Sequence, residues 1–173
     1  MKVKVKMKLR ILLNKIVANY YRKKVIKTAK ECGTDLYLGG KSFVTPNTFL
    51  ADHVSFNGMS MYGNGKITIG KYFHSGINCQ IITSFHNYNS NKSIPYDDTF
   101  IDKNVSIGDC VWLGNNVIIL GGVTIGKGAI IQAGSVVIKD IPDYAVAGGH
   151  PAKTFKFRDI EEYKKLEKEE KFF

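Results

Sequence analysis

The chain of 173 residues has the length of one ordinary domain, and 44% hydrophobic residues with 17 glycines exclude a disordered or collagen-like polymer. Its net charge of +10 is uneven: residues 1–30 hold 11 of the 25 Lys and Arg and no acid, leaving 14 bases against 15 acids in residues 31–173. No apolar run is long enough to span a bilayer, so neither a transmembrane helix nor a cleaved signal peptide is expected, and Cys32, Cys79 and Cys110 lack the paired spacing of a disulfide framework or a zinc site, which points to a reducing cytoplasm.

Residues 1–35 form a basic arm in which Leu9, Leu12, Ile16 and Tyr20 recur at helical spacing, with Arg10, Lys15, Arg22, Lys23 and Lys24 between them. This predicts an amphipathic helix, open to three readings: it packs on its own protein, it faces an acidic membrane, or it binds nucleic acid. No nucleic-acid motif accompanies it, so nucleic acid is not expected as a partner. From residue 36 to 152 a period of six governs the chain. Val44, Leu50 and Phe56 begin it, a one-residue slip follows near Gly63-Asn64-Gly65, and Ile69, Ser75 and Ile81 resume it. Residues 84–100, SFHNYNSNKSIPYDDTF, have no periodic apolar face and read as a loop extruded from the repeat, of the kind that carries function.

The repeat then runs without a slip through Ile101, Ile107, Leu113, Ile119, Ile125, Ile131 and Val137, with Val105, Val111, Val117, Val123, Ala129, Ser135 and Ile141 four residues after each. A helix cannot keep a period of six on one face, because six steps rotate the side chain by about 240°. Short strands can: Val105 and Ile107 point the same way, a corner follows, and Val111 and Leu113 repeat the unit. Three such units close one triangular coil, and stacked coils make a parallel β-helix. Gly108, Gly114 and Gly126 follow the inward aliphatics, where glycine is expected to supply the backbone freedom of a corner. In residues 153–173, Asp159-Ile160-Glu161-Glu162 predicts a helix start, with Ile160, Tyr163 and Leu166 on one face and Glu161–Lys165 and Glu167–Lys171 pairs on the other.

The strings VWLGNNVIILGGVTIG, IIQAGSVVIKDIP and AVAGGHPAK, with the repeat around them over roughly residues 44–158, resemble the hexapeptide-repeat acyltransferases. Within these, the chain is similar to the sugar O-acetyltransferases acting on galactosides, maltose, nodulation factors and polysaccharides. The resemblance implies an all-β fold, a left-handed parallel β-helix of hexapeptide repeats, assembled as a homotrimer with acetyl-CoA in a groove between neighbouring prisms; histidine pairs five residues apart, as a zinc site on this architecture would need, are absent, so no metal is expected. Asn115 and Ala133, one full coil apart, stack on one edge of the prism. By the resemblance Trp112 narrows the channel beside the pantetheine arm, Ile138 and Lys139 meet the cofactor, and Lys153 and Lys156 lie near its phosphates.

Acyl transfer from a thioester to a hydroxyl needs a base for the alcohol proton, and histidine suits it at neutral pH. His86, in TSFHNYN, falls where the resembling enzymes carry their catalytic histidine. His53 and His74 occupy corner or outward positions, and His150 stands beside Pro151 where related chains often carry an aliphatic. Cys79 reads as a small inward residue and Cys110 as a corner residue, neither set up as a nucleophile. Asn57 and Asn64 lie near the family's sugar-binding positions, and Asn87 and Tyr88 either orient His86 or the acceptor or are solvated loop. The expectation is a cytoplasmic acetyl-CoA-dependent O-acetyltransferase with a sugar or glycolipid acceptor, peripheral at an acidic membrane face. N-acetylation of a nucleotide-linked amino sugar, antibiotic acetylation and a non-catalytic trimeric scaffold stay open.

Overall fold

The computed structural model describes residues 2–173, with side chains described at residue 13 and from residue 15 onward. Helix α1 (Lys2–Thr28) leads into the coil. Its sequence holds no glycine or proline and is rich in Lys, with Leu and Arg among the rest, all good helix formers. Among its described side chains, those of the last turns dock. Val25 is buried, Tyr21 packs against the core and meets Phe43 edge-on at 5.3 Å, and Arg22 Nε donates to the Leu36 carbonyl at 2.8 Å. Leu13, Ile16, Val17 and Tyr20 are exposed, so packing on its own protein does not extend along these turns. The side chains of Leu9, Arg10 and Leu12 lie outside the described residues.

Three parallel sheets form the sides of a prism. The first face stacks Glu31–Cys32, Thr48–Leu50, Ile67–Ile69, Val105–Ile107 and Thr124–Ile125. The second stacks Tyr37–Leu38, Ser55–Phe56, His74–Ser75, Trp112–Leu113, Ile130–Ile131 and Ala145–Gly149, and is closed by Ala152–Phe157 running antiparallel to its last strand. The third stacks Met59–Tyr62, Cys79–Ile82, Ile118–Leu120 and Val136–Val137. Register is set by the inward column: Phe56, Ser75, Leu113 and Ile131 are successive partners on the second face, and all are buried. Burying each large aliphatic contributes about 1.5–3 kcal/mol, which lets so narrow a body stand.

The slip is divided between two places. Met61, five residues after Phe56, takes the inward position on the third face, and Ile69 follows eight later across Gly63-Asn64-Gly65. Ile101 is not in the inward column. It pairs with Phe85 in a two-stranded antiparallel ribbon, Ser84–His86 with Phe100–Asp102, so the extruded segment has structure at its base and the clean register begins at Val105.

The corner glycines also serve a different purpose from the one predicted. Gly108, Gly114 and Gly126 do not adopt left-handed backbone; a Cβ there would lie 2.8 Å from the Lys127 nitrogen, 2.5 Å from the Ala133 nitrogen and hard against the Asp143 nitrogen, respectively. They are needed because adjacent coils touch. The left-handed turn falls two residues on, at Cys110 (φ +56°), Asn116 (+57°) and Gly128 (+66°). Corner Asx side chains tie coil to coil: Asp109 Oδ1 accepts from Lys71 N at 2.7 Å and Asp143 Oδ1 from Lys127 N at 2.8 Å.

Helix α2 (Ile160–Lys168) starts at Asp159, whose side chain accepts from Glu162 N at 3.0 Å. Tyr163 is its buried residue. The predicted pairs along the helix do not form. Glu167 instead binds Lys127 of the coil and anchors the helix to the second face, while Lys165 pairs with Glu162 and Lys171 with Glu169.

Candidate active site

His86 ends the first strand of the ribbon, which rises from the corner between the third and first faces. Its ring stacks on Tyr96 (3.9 Å, 16°) and leans on its ribbon partner Phe100 (4.4 Å, 36°). Nδ1 is buried and has no hydrogen-bond partner among the described residues, while Nε2 is not enclosed in this way. The aromatic clamp was not anticipated, although Tyr96 and Phe100 stand out as rings within an otherwise polar stretch.

Polar contacts fix the ribbon. Ser84 Oγ bonds Asp102 and accepts from Asn64 N at 2.8 Å. Asp97 is buried and accepts from Thr99 N at 2.8 Å and Thr99 Oγ1 at 2.5 Å. Hydrogen bonds from Ser90 and Thr99 hold the pKa of the Asp97 carboxyl down to about 2. Asn87 is bound within the ribbon, its N–H donating to the Thr99 carbonyl at 3.1 Å, while Tyr88 is exposed.

The remaining expected residues fall on two edges and one face. Asn57, Asn115 and Ala133 share the edge between the second and third faces. Asn57 Nδ2 donates to the Ser75 carbonyl at 3.0 Å and Asn115 Oδ1 accepts from Ile77 N at 3.0 Å, so each side chain is partly spent joining coils. Ile138 and Lys139 follow the last strand of the third face, on the edge that carries the ribbon, and Asn64 lies higher on that edge beside Ser84. Lys153 and Lys156 are exposed on the reversed strand. Trp112, 54% exposed, projects from the second face. One chain therefore does not bring His86 and Trp112 to the same edge.

The other histidines are tied elsewhere. His53 stacks on Tyr72 (4.7 Å, 3°) and pairs with Asp35 at 3.5 Å, His74 Nε2 meets the Phe173 carbonyl oxygen at 3.2 Å, and His150 is exposed. Burial pushes the Cys79 and Cys110 thiols up, which disfavours the nucleophilic thiolate in both. No group of three potential metal ligands occurs among the described residues.

Trp112 also borders a cleft of about 500 Å³ between the second face and the C-terminal segment, lined by Tyr72, Ile130, Tyr163, Leu166 and Phe172 among others. The sequence predicted helix α2 but not this cleft, because the Glu167–Lys127 anchor that holds the helix here joins residues distant in the chain.

A family profile described as bacterial transferase hexapeptide (six repeats) matches residues 104–139. Galactoside O-acetyltransferase of Lactococcus lactis is 36% identical over 125 residues, 66% of this chain and 59% of that protein. A hexapeptide-repeat acetyltransferase from Vibrio cholerae superposes with a TM-score of 0.71 at 26% identity, covering 89% of each chain, and that protein has also been crystallised with acetyl-CoA. A maltose O-acetyltransferase from Clostridium difficile superposes with a TM-score of 0.63 at 27% identity, covering 90% of this chain and 86% of that one. The chain spans about half the length of the curated relatives it matches over most of its own length.

Proposed function

The chain belongs to the hexapeptide-repeat acetyltransferase family, and from that premise we propose that it transfers an acetyl group from acetyl-CoA to a sugar hydroxyl, with His86 as general base. In the step, the acceptor oxygen attacks the thioester carbonyl carbon while His86 takes its proton at Nε2. A C–O bond forms, the C–S bond breaks, and the proton passes to the departing CoA sulfur.

The observation that carries this reading is the His86 ring itself. It stacks on Tyr96 and leans on Phe100 on an extruded ribbon, with Nδ1 enclosed and without a partner among the described residues. A base acting through Nε2 carries its own proton on Nδ1, and the enclosure of Nδ1 by its own chain leaves Nε2 as the nitrogen that meets the acceptor. On this reading the protein is a homotrimer in which the ribbon of one prism faces the Trp112, Asn115 and Ala133 edge of the next. Ile138 and Lys139 then face the cofactor from the ribbon edge, and Lys153 and Lys156 lie toward its phosphates. Asn57, Asn64, Asn87 and Tyr88 are assigned to the acceptor side, with their structural hydrogen bonds retained.

The test is His86→Ala in a thiol-release assay with acetyl-CoA and a panel of maltose, galactosides and related glycosides. The variant is expected to keep a trimer's mass and its acetyl-CoA affinity while kcat falls about 10²-fold or more. Unchanged turnover, or a native protein of single-chain mass, refutes the assignment.

A further inference from the structure

The cleft beside Trp112 is far larger than an acetyl group requires. At about 30 Å³ for each water-sized group, an acetyl fills roughly a fifth of its 500 Å³. Its walls are aromatic and aliphatic: Tyr72, Trp112, Ile130, Tyr163, Leu166 and Phe172.

The charged and polar side chains at its rim already have partners. His74 meets the Phe173 carbonyl, Arg158 donates to the Gly128 carbonyl at 3.2 Å, Glu167 binds Lys127 and Lys171 binds Glu169. A sugar there would bury several hydroxyls against apolar walls, each at a cost, whereas a hydrocarbon chain would not. The Tyr163 hydroxyl is itself buried, so Tyr163 lines the cleft with its ring rather than its oxygen.

We propose that this cleft is an acyl pocket, so that the protein accepts acyl-CoA donors with chains longer than acetyl as well as acetyl-CoA. This rests on the reading that the thioester passes beside Trp112. The chain enters between Trp112 and Ile130, which are adjacent partners on the second face, and lies under α2 and Phe172. The reaction balances as before: a C–O bond to the acyl carbonyl carbon forms, the C–S bond breaks, and the acceptor's proton ends on the CoA sulfur.

Calorimetric titration of the full chain with CoA, acetyl-CoA, butyryl-CoA and hexanoyl-CoA tests it. Hexanoyl-CoA is expected to bind at least tenfold more tightly than acetyl-CoA. Ile130→Trp, or Leu166→Trp from the helix side should the first variant not fold, is expected to erase that gain and leave acetyl-CoA affinity in place. Equal affinity for acetyl- and hexanoyl-CoA overturns the acyl pocket alone and leaves acetyl transfer standing, whereas no binding of any CoA species overturns both. Maltose or galactose binding that either tryptophan variant abolishes would assign the cleft to the acceptor and likewise overturn the proposal.

Discussion

Two glycines that look alike in sequence are required for opposite reasons. Gly114 has ordinary backbone but no room, since a Cβ would sit 2.5 Å from the Ala133 nitrogen; Gly134 has open space on all sides but a φ of +73°. Alanine at 114 must push two coils apart, at about 2 kcal/mol or more. Alanine at 134 meets only the strain of left-handed backbone, about 1 kcal/mol. Thermal unfolding at fixed protein concentration is expected to rank Gly114→Ala as the more damaging; the reverse order would show that conformation rather than proximity governs the corners. The period of six placed Gly114 at a corner and suggested backbone freedom as its purpose; the true reason was not legible, because contact with the next coil depends on how closely coils stack.

The ribbon's order responds to acid through Asp97. Asp97 has its pKa lowered on folding, so its contribution is complete above the ordinary carboxyl value of about 4 and is lost as pH falls toward about 2. Hydrogen-exchange protection of residues 84–102 is expected to decline over that window while the prism's inner strands stay protected. Asp97→Asn should show the lowered protection already at neutral pH, and a ribbon equally protected in both proteins would remove Asp97 from its support. Sequence alone located this segment, because the step from Ile81 to Ile101 is longer than one full coil of the repeat. It could not reveal that Ile101 turns away to pair with Phe85, since an aliphatic in register reads as inward whichever partner its strand finds. His86 was legible through its surrounding string, whereas Tyr96 and Phe100 were not, because ring stacking leaves no spacing rule in a loop.

Across the whole molecule, charge and shape are divided between two ends of the chain. The coil body is nearly neutral, while residues 1–30 hold 11 bases and no acid, and Leu13, Ile16, Val17 and Tyr20 on α1 are exposed at helical spacing. No described helix is long and apolar enough to cross a membrane. An acidic membrane surface is the proposed partner of α1, each base near such a surface contributing about 1 kcal/mol. The protein is expected to sediment with phosphatidylserine-containing vesicles at low salt and to be released as salt rises; failure to sediment at low salt would rule this contact out. The prism was legible because a long run of aliphatics in strict register admits one periodic solution. The cleft under α2 was not, since it depends on where Glu167 finds Lys127 across the surface.

The reversal at Ala152–Phe157 has a consequence for solubility. A stack of parallel coils that simply stopped would present a row of unsatisfied amides and carbonyls, a template for head-to-tail polymerisation into fibrils. Turning the last strand back on itself occupies that row, and the exposed Lys153 and Lys156 set charge along the outermost strand, so the second face ends in a protected margin.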